Sequence, residues 1–579
     1  MSHEFSRRAL PGLANGGRAG LHFVALVAAI LAAAIPATAG TTIANTKHNL
    51  TPSGPGTFKA PETTGLCVFC HTPHNASPTR ALWNRALSGA TYTLYTSTTL
   101  KATLDQPTGS SRLCLSCHDG TLAMGTLRNA NNGVQPTLGV LTGTALLGTN
   151  LSDDHPISFL YDSALVASRG ELANPSSLPN TVKLDQNNQM QCTSCHDAHE
   201  DRHPNFMRMD TRYGALCLSC HTPTGWSGTT HATSLATWNG VGTSPWPASA
   251  SPTSTVADNA CDSCHRPHTA GQGKSLLAQS GEVANCTVCH SGTVATKNIQ
   301  AEFGKIYYHP IENFADWTHT PKEDMTLAPP RHVTCADCHN AHAANASPAS
   351  APNVPGPLLG SRGISQAGLT VPSAAFEYEV CYKCHGLSSA ATAGLTRKDN
   401  IRNARLLFDP VNPSYHPVAA VGKNASIQNF MPGYTASSRI ACSSCHNNDT
   451  SGGPAGTHGS SFQPIIKGQY LTDQTVNDPP LLAYALCFKC HASAPYLADV
   501  PGKFPHALHV VTNKESCAAC HDAHGSRQYP HLINFMLYDR NGTPVVTPST
   551  VQHRLEYNNG QCYLMCHGVN HEPSTYPYP

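Results

Sequence analysis

The chain has 579 residues, of which 12% are charged, 45 are glycine and 44 are proline. This composition predicts a loop-rich chain with more than one domain, and it fits neither a membrane bundle nor a charged disordered tail. A formal net charge of +1 argues against a basic nucleic-acid-binding protein. The unusual counts are those of 24 cysteines and 33 histidines.

Residues 1–39 have the pattern of a secretory signal peptide. Arg7 and Arg18 precede an apolar stretch over residues 21–35, and the small residues 37–39 form a cleavage site. No cysteine follows that site, which argues against a lipid anchor, and no other run reaches about 18 apolar residues. We therefore expect export by a Sec-type signal to the periplasm, the outer surface or the extracellular space, without a membrane span.

The cysteines occur in a repeated pattern. Eleven pairs have two intervening residues and a histidine directly after the second cysteine: Cys67 and Cys70 before His71, Cys114 and Cys117 before His118, Cys192 and Cys195 before His196, Cys217 and Cys220 before His221, Cys261 and Cys264 before His265, Cys286 and Cys289 before His290, Cys335 and Cys338 before His339, Cys381 and Cys384 before His385, Cys442 and Cys445 before His446, Cys487 and Cys490 before His491, and Cys517 and Cys520 before His521. A twelfth pair, Cys562 and Cys566 before His567, has three intervening residues. The twelve pairs use all 24 cysteines.

This spacing is the attachment signature of c-type haem. Two cysteines one turn apart can form thioether bonds to the two vinyl groups on one porphyrin edge, and the next residue then reaches iron from one face. Disulfides and zinc ribbons are the alternatives, but neither accounts for a histidine after every second cysteine. We predict twelve covalently attached haem c groups, with the motif histidines as proximal iron ligands.

A second histidine follows some motif histidines at a short offset. The offset is three residues at His74, His199, His268, His342 and His524, and four residues at His571. Residues three or four apart on a helical turn project from the same side, so the two histidines cannot bind opposite faces of one haem. We predict that each later histidine is the distal ligand of a neighbouring haem, which brings two haems close together.

Other distal ligands are predicted from local sequence. Proline keeps the preceding residue out of the helical region, so extended backbone is expected to carry ligands at His155, His309 and His416. About three more ligands are needed, for which we choose His48, His458 and His509. We expect most of the others to be non-axial, namely His231, His319, His332, His506, His531 and His553. Methionine ligands are disfavoured because no methionine has a repeated offset from a motif.

Internal repetition divides the chain into three modules of four motifs each. The predicted boundaries are a module at 40–224, a linker at 225–257, a module at 258–387, a linker at 388–410 and a module at 411–579. Glycine, proline, serine and threonine clusters disfavour long helices and continuous sheets. The predicted fold is therefore mostly irregular loops with short α-helices of about two turns at the motifs, packed around a chain of haems, with little β-structure.

The chain resembles the multihaem c-type cytochromes with doubled CxxCH motifs of dissimilatory metal-reducing bacteria such as the Geobacter group. The resemblance is carried by residues 67–76, by residues 114–121 and by the Cys-His-Asp-Ala-His segments that end at His199 and His524. It implies respiratory electron transfer, in the periplasm or outside the cell, to iron oxides or other terminal acceptors. The wider Cys562/Cys566 spacing and the missing lipid-anchor cysteine depart from the pattern.

Three functions compete at this point. The first is an electron-transfer conduit, a carrier and not an enzyme, whose partners are other cytochromes and mineral or metal-ion acceptors rather than nucleic acid. Haem propionates would make the nearly neutral chain acidic, which suits such partners. The second is a multihaem reductase of the nitrite, hydroxylamine or tetrathionate type with one open haem, although no motif departs from histidine. The third is a subunit of an extracellular filament, a homopolymer of this chain.

Overall fold

The computed structural model describes residues 42–78, 82–130, 133–271, 274–311, 333–386, 403–424, 427, 429–501, 503–535, 537, 544, 546–558, 561–566 and 568–575. Outside these residues lie the predicted signal peptide, most of the linker predicted at 388–410, His319, His332 and the motif histidine His567.

The α-helices are short because glycine, proline and turn residues interrupt the chain repeatedly. They cover Gly109–His118, Ser163–Arg169, Cys192–Cys195, Ala215–Leu218, Thr230–Thr233, Val256–Asn259, Glu282–His290, Glu377–His385, Ala404–Leu407, Pro480–Ala483 and Ala494–Leu497, and Leu508–Thr512 forms one π turn. In the described part of the chain, none of these helices is long and apolar enough to cross a membrane.

Single 3₁₀ turns are as common as α-helices. They cover Ile43–Asn45, Pro175–Ser177, Pro204–Phe206, Arg212–Gly214, Trp226–Gly228, Ala260–Ser263, Lys274–Leu276, Gln300–Gly304, Cys335–Asp337, Gly356–Leu358, Cys442–Ser444, Cys487–Lys489 and Cys517–Ala519. Among the described residues, a helix of about two turns or more forms at three motifs, those of Gly109–His118, Glu282–His290 and Glu377–His385. The expectation of such a helix at every motif is wrong, because one closed turn already brings the cysteines and the histidine together.

Most strands have two residues. They are β1 Phe159–Leu160, β2 Gln189–Met190, β3 Tyr307–Tyr308, β4 Gly363–Ile364, β5 Thr370–Val371, β6 Ser414–Tyr415, β7 Gly459–Ser460, β8 Gly525–Ser526, β9 Glu556–Asn558, β10 Gln561–Cys566 and β11 Val569–Thr575. The antiparallel pairs are β1–β2, β3–β7, β4–β5 and β6–β8, and β11, β10 and β9 form a three-stranded antiparallel sheet in that order. The predicted fold of loops and short helices with little strand is confirmed.

The chain divides into two compact units. The first comprises Met1–Ala86, Met124–Gly139 and His196–Arg208, and it contains the first motif. The second comprises Leu87–Ala123, Val140–Cys195 and Met209–Pro579. The division into three four-motif modules stays a prediction.

Apolar side chains form small clusters beside the motif cysteines rather than one large core. One cluster joins Phe535, Leu537, Val546 and Leu564, with Cys520, Cys562 and Cys566 packed in or against it. Another joins Val476, Ala483 and Tyr484, with Cys487 and Cys517 against it. The buried apolar surface is therefore distributed among the motifs, where it can pack on an apolar cofactor.

Candidate haem sites

A closed backbone turn holds the motif residues together. The peptide N–H of the motif histidine donates to the carbonyl of the first cysteine, at 2.8 to 3.0 Å, in the motifs ending at His71, His221, His265, His339, His446, His491 and His521. The hydrogen bond spans four residues, as in one turn of α-helix. It places two thiols and one imidazole on a single compact turn, as attachment to one cofactor edge requires.

The second cysteine of these motifs takes part in the same turn. Its peptide N–H donates to the carbonyl of the first cysteine, at 3.1 to 3.3 Å, in the motifs of Cys70, Cys220, Cys264, Cys338, Cys445, Cys490 and Cys520. Burial raises the pKa of the second thiol in Cys220, Cys264, Cys289, Cys338, Cys384, Cys445 and Cys520. The seven cysteines are half-buried as whole residues.

Three further second cysteines are Cys70, Cys117 and Cys490. Cys70 is exposed, and Cys117 and Cys490 are half-buried. The carbonyl of Cys70 accepts the peptide N–H of Asn84 at 2.9 Å, and Cys117 lies in the last turn of the helix that ends at His118. The Cys490 thiol is hydrogen-bonded to Tyr434 and raises the pKa of that phenol. Burial therefore does not single out these three cysteines, and their role in haem attachment stays a prediction that rests on the motif.

Nine motif histidines face a second imidazole. The ring centres lie 6.0 to 6.5 Å apart in the pairs His71–His199, His221–His155, His265–His342, His290–His231, His339–His458, His385–His309, His446–His524, His491–His416 and His521–His506. Each pair joins one motif histidine to one histidine outside the motifs.

This separation fits one metal ion between the rings. An imidazole nitrogen binds a first-row metal at about 2 Å, and the nitrogen lies about 1 Å from its ring centre, so two opposed ligands have ring centres about 6 Å apart. Aromatic rings in direct contact span about 4.5 to 7 Å between centres, so what favours a metal ion is that the separation recurs in nine pairs that each contain a motif histidine. The nine pairs therefore fit bis-histidine ligation of haem iron.

Hydrogen bonds to the other ring nitrogen orient many of these imidazoles. Nδ1 lies 2.7 to 3.1 Å from a backbone carbonyl oxygen in His118, His155, His196, His231, His265, His309, His339, His446, His509 and His521, and His416 makes the same contact with Ala523. A carbonyl oxygen only accepts, so Nδ1 carries the proton. Nε2 then keeps a lone pair for a metal ion.

Burial keeps the facing rings neutral. Burial, together with the charges of neighbouring histidines, lowers the pKa to about 4 for His221, His290, His385, His446, His458, His491 and His506. A protonated imidazole has no lone pair to offer to iron. These seven rings are therefore in the form that binds a metal at neutral pH.

Short side-chain turns direct the histidines that lie three residues after a motif. The side-chain oxygen two residues earlier accepts the peptide N–H of the later histidine, at 2.9 to 3.1 Å, in Asp197–His199, Asn340–His342 and Asp522–His524. Each of these histidines faces the motif two places upstream, in the pairs His199–His71, His342–His265 and His524–His446. Their role as iron ligands stays a prediction.

The histidines before proline follow a second rule. His155, His309 and His416 face His221, His385 and His491, and each of these belongs to the second motif downstream. Pro156, Pro310 and Pro417 keep the preceding backbone extended. Each histidine lies beside another chain segment, to which its peptide N–H donates a hydrogen bond. The acceptor is the carbonyl of Pro267 for His155 at 2.8 Å, of His458 for His309 at 3.4 Å, and of His524 for His416 at 3.1 Å.

The structure does not place five predicted distal ligands opposite a described motif histidine, namely His48, His74, His268, His509 and His571. The ring of His48 stacks on Phe206 at 4.3 Å, and Nδ1 of His268 lies 2.7 Å from a carboxylate oxygen of Asp154. The carbonyl of His74 accepts a hydrogen bond from Thr72 at 2.8 Å. His509 faces His571 rather than a motif histidine.

Two histidines that the sequence analysis set aside do face motif histidines. His231 lies in the one-turn helix Thr230–Thr233 and faces His290. His506 lies before the π turn Leu508–Thr512 and faces His521. Neither has a repeated offset from a motif, so the sequence contains no signal that would have identified them.

First cysteines of consecutive motifs approach each other. Thiol hydrogen bonds join Cys114 to Cys192, Cys217 to Cys261, Cys286 to Cys335 and Cys381 to Cys442. These bonds raise the pKa of Cys217, Cys286 and Cys381 well above the usual range, and that of Cys192 is lowered. The second and third, fourth and fifth, sixth and seventh, and eighth and ninth motifs are therefore neighbours.

Backbone and side-chain contacts fix the same neighbours independently. Glu282 accepts the peptide N–H of Ala336 at 2.6 Å, and Glu377 accepts that of Ser443 at 2.7 Å. Each glutamate begins the helix of one motif, and its partner lies inside the next motif. At Gly214, with φ of +69°, a Cβ atom would lie 2.7 Å from the Cys261 sulfur, so close approach requires glycine there.

The twelfth motif has a different geometry. Cys562 and Cys566 lie on β10, where side chains alternate between faces and four residues extend about 13 Å. The extra residue in this motif prevents the four-residue turn found in the others. Burial raises the pKa of Cys562 to about 11 and that of Cys566 to about 12. The twelfth site is therefore not a copy of the turn-closed sites.

Two family models match parts of the chain. A model described as outer membrane cytochrome MtrC/MtrF-like, domains II/IV, matches residues 253–409, which contain the fifth to eighth motifs. A model of the doubled CXXCH motif matches residues 186–225, which contain the third and fourth. No curated protein matches the chain. Both matches agree with covalently attached haem c.

Proposed function

We propose that this chain, which is a multihaem c-type cytochrome, carries twelve haems and conducts electrons along them towards an extracellular acceptor. When bound, each haem supplies an iron that accepts and releases one electron. The protein supplies the thiols for attachment, the imidazoles that hold each iron, and the spacing between sites.

The observation that carries this proposal is the set of nine motif histidines facing a second imidazole at 6.0 to 6.5 Å. Two imidazoles fill both axial positions of an iron, so substrates have no position to bind at these sites. Such ligation suits a carrier, whose iron changes charge without changing ligands, better than a reductase, which needs an open position. The axial ligands are proposed to be these pairs.

The order of the sites supports a conduit. Contacts between first cysteines join four pairs of consecutive motifs. The β3–β7 pair brings together His458, which faces the seventh motif, and His309, which faces the eighth. The β6–β8 pair brings together His524, which faces the ninth motif, and His416, which faces the tenth. Cys487 and Cys517 pack on one cluster, and Cys520 packs with Cys562 on another. These contacts join consecutive motifs without a break from the sixth to the twelfth, so we propose that electrons pass through those haems in chain order.

The family match supports a proposal for the acceptor and the cellular location. The MtrC/MtrF-like match is to an outer membrane cytochrome, so we propose that the chain works at the outer surface or outside the cell. Its partners are proposed to be other cytochromes and mineral or metal-ion acceptors. Propionates on twelve haems would make the surface acidic, which favours basic partner proteins and metal cations.

Intact-mass analysis of purified holoprotein tests the haem count, and electron paramagnetic resonance of the oxidised protein tests the ligation. We expect twelve haems per chain, low-spin ferric signals from the nine paired sites, and no turnover of nitrite, hydroxylamine or tetrathionate. A high-spin ferric signal together with turnover of one of these substrates would show that the protein is a reductase rather than a conduit. A mass without haem adducts would contradict both the conduit and the reductase.

A further inference from the structure

Charged residues are rare between the two cysteines of a motif. Among the twelve motifs they occur at four positions, Asp262, Asp337, Lys383 and Lys489. Lys383 lies in the helix Glu377–His385, between the cysteines of the eighth motif, and it is 5% exposed. Lysine is almost never buried to this extent unless it is paired. The buried charge of Lys383 therefore requires a specific partner.

The partner of Lys383 lies in the seventh motif. Nζ of Lys383 donates to the backbone carbonyl of Asp337 at 2.7 Å. Asp337 has the same loop position, directly before the second cysteine, and it is 3% exposed. Its carboxylate accepts the peptide N–H of Thr334 at 2.7 Å, which holds the loop in place. The ammonium group therefore reaches from the eighth motif into the seventh and is buried between them.

The charge of Lys383 acts on one thiol of each motif. Burial raises the pKa of Cys338 to about 12 and that of Cys384 to about 11, and the lysine charge opposes this rise in both. The charge of Asp337 acts on the same two thiols in the opposite sense. Both charges thus lie close to the attachment residues of two consecutive motifs.

We propose that Lys383 sets the reduction potentials of the seventh and eighth haems, and holds both higher than they would be without a buried cation. Reduction adds one electron to a haem, and a positive charge in a medium of low dielectric constant stabilises the added negative charge. An electron is therefore more stable at this pair of haems than the axial ligands alone would make it. This inference rests on the proposal that both motifs bind haem.

Lys489 provides an internal comparison. It has the same loop position in the tenth motif, and its Nζ donates to the backbone carbonyl of Lys467 at 2.6 Å. Lys489 is exposed, however, so water and ions screen its charge. The two lysines share the loop position and the type of hydrogen bond, and they differ in burial.

The test is a redox titration of the full-length holoprotein, followed by haem absorbance and electron paramagnetic resonance, with the haems counted by intact mass. Lys383→Gln removes the charge and keeps a hydrogen-bond donor. In K383Q we expect two one-electron transitions to move to lower potential. The ratio of reduced to oxidised haem at fixed potential should fall about tenfold for each, which is about 59 mV for one electron. Lys383→Arg keeps the charge and should keep the wild-type potentials.

Two further variants complete the test. In the matched control, Lys489→Gln, that ratio should stay within about twofold of wild type for every transition, because water screens the charge at residue 489. Asp337→Asn removes the opposite charge and keeps an oxygen for the peptide N–H of Thr334. D337N should move the same two transitions to higher potential, and it tests the proposal even where K383Q does not mature.

Each unfavourable result has its own meaning. Wild-type potentials in K383Q or in D337N would overturn this inference, and a loss of stability alone in K383Q would make Lys383 a structural contact. Equal shifts in K383Q and K489Q would overturn the role of burial. Proteolytic fragments of the wild-type chain that carry the seventh or eighth motif without haem would instead overturn the proposed haem count.

Discussion

The peptide N–H of His309 donates to the carbonyl of His458 at 3.4 Å, yet the two rings face different motif histidines. His309 faces His385, and His458 faces His339. The strands β3 and β7, which adjoin these two histidines, thus couple the eighth motif to the seventh. A change in this strand pair should therefore affect two irons together.

Replacing Gly459 by alanine tests that coupling. A Cβ atom at residue 459 would lie 1.9 Å from the backbone oxygen of Glu302, so β7 must move. We expect the free energy of unfolding, followed by haem absorbance in denaturant, to fall by about 2 kcal/mol or more. We also expect two low-spin signals to shift together.

Gly304→Ala is the matched control, because no atom lies within 4 Å of a Cβ placed there. Its free energy of unfolding should stay within about 0.5 kcal/mol of wild type. A single shifted signal in G459A would contradict the shared support of the two sites.

Gly214 tests the contact between the fourth and fifth motifs. An alanine at residue 214 must adopt φ of +69°, which costs about 1–2 kcal/mol, and its Cβ would also lie 2.7 Å from the Cys261 sulfur. Gly170 has φ of +75° with nothing within 4 Å of a Cβ. We expect G214A to be less stable than G170A by about 1–3 kcal/mol in the same unfolding measurement. Equal losses would mean that backbone conformation alone explains the effect.

His231 and His506 should each hold one iron. Changing either to alanine removes the imidazole that faces His290 or His521. We expect one high-spin ferric haem in H231A, one in H506A and two in the double variant, by electron paramagnetic resonance at unchanged haem count. A low-spin spectrum in the double variant would show that other residues fill these positions.

Glu515 should make stability depend on pH. Burial raises the pKa of its carboxyl group from 4.5 to about 7. Between these values the native chain binds more protons than the unfolded chain, so the free energy of unfolding falls as pH rises from 4.5 to 7. Denaturant unfolding across this range should show the fall, and Glu515→Gln should flatten it. The same slope in the variant would assign the dependence to another group.

The sequence shows the attachment residues directly, because a cysteine pair and its histidine lie within five or six positions. Cys70 is assigned from this spacing alone, since it is exposed in the structure. The rule that His342 faces a motif two places upstream is a tertiary property, and no local pattern specifies it. His231 and His506 cannot be identified as ligands from the sequence for the same reason.

The strand at the twelfth motif was predictable only in part. The wider Cys562/Cys566 spacing indicates that a standard turn cannot form. The register that puts Leu564 opposite His571 depends on how β11 folds back, and the four-residue offset between His567 and His571 does not reveal it.

Pairing across motifs also has a consequence for biosynthesis. His71 faces His199 and His339 faces His458, so an early site receives its second imidazole from a segment that leaves the ribosome much later. Cofactor attachment to a motif can precede final folding, but the completed coordination sphere cannot. A chain that ends before residue 199 or residue 458 would therefore leave the early iron at His71 or His339 with one imidazole.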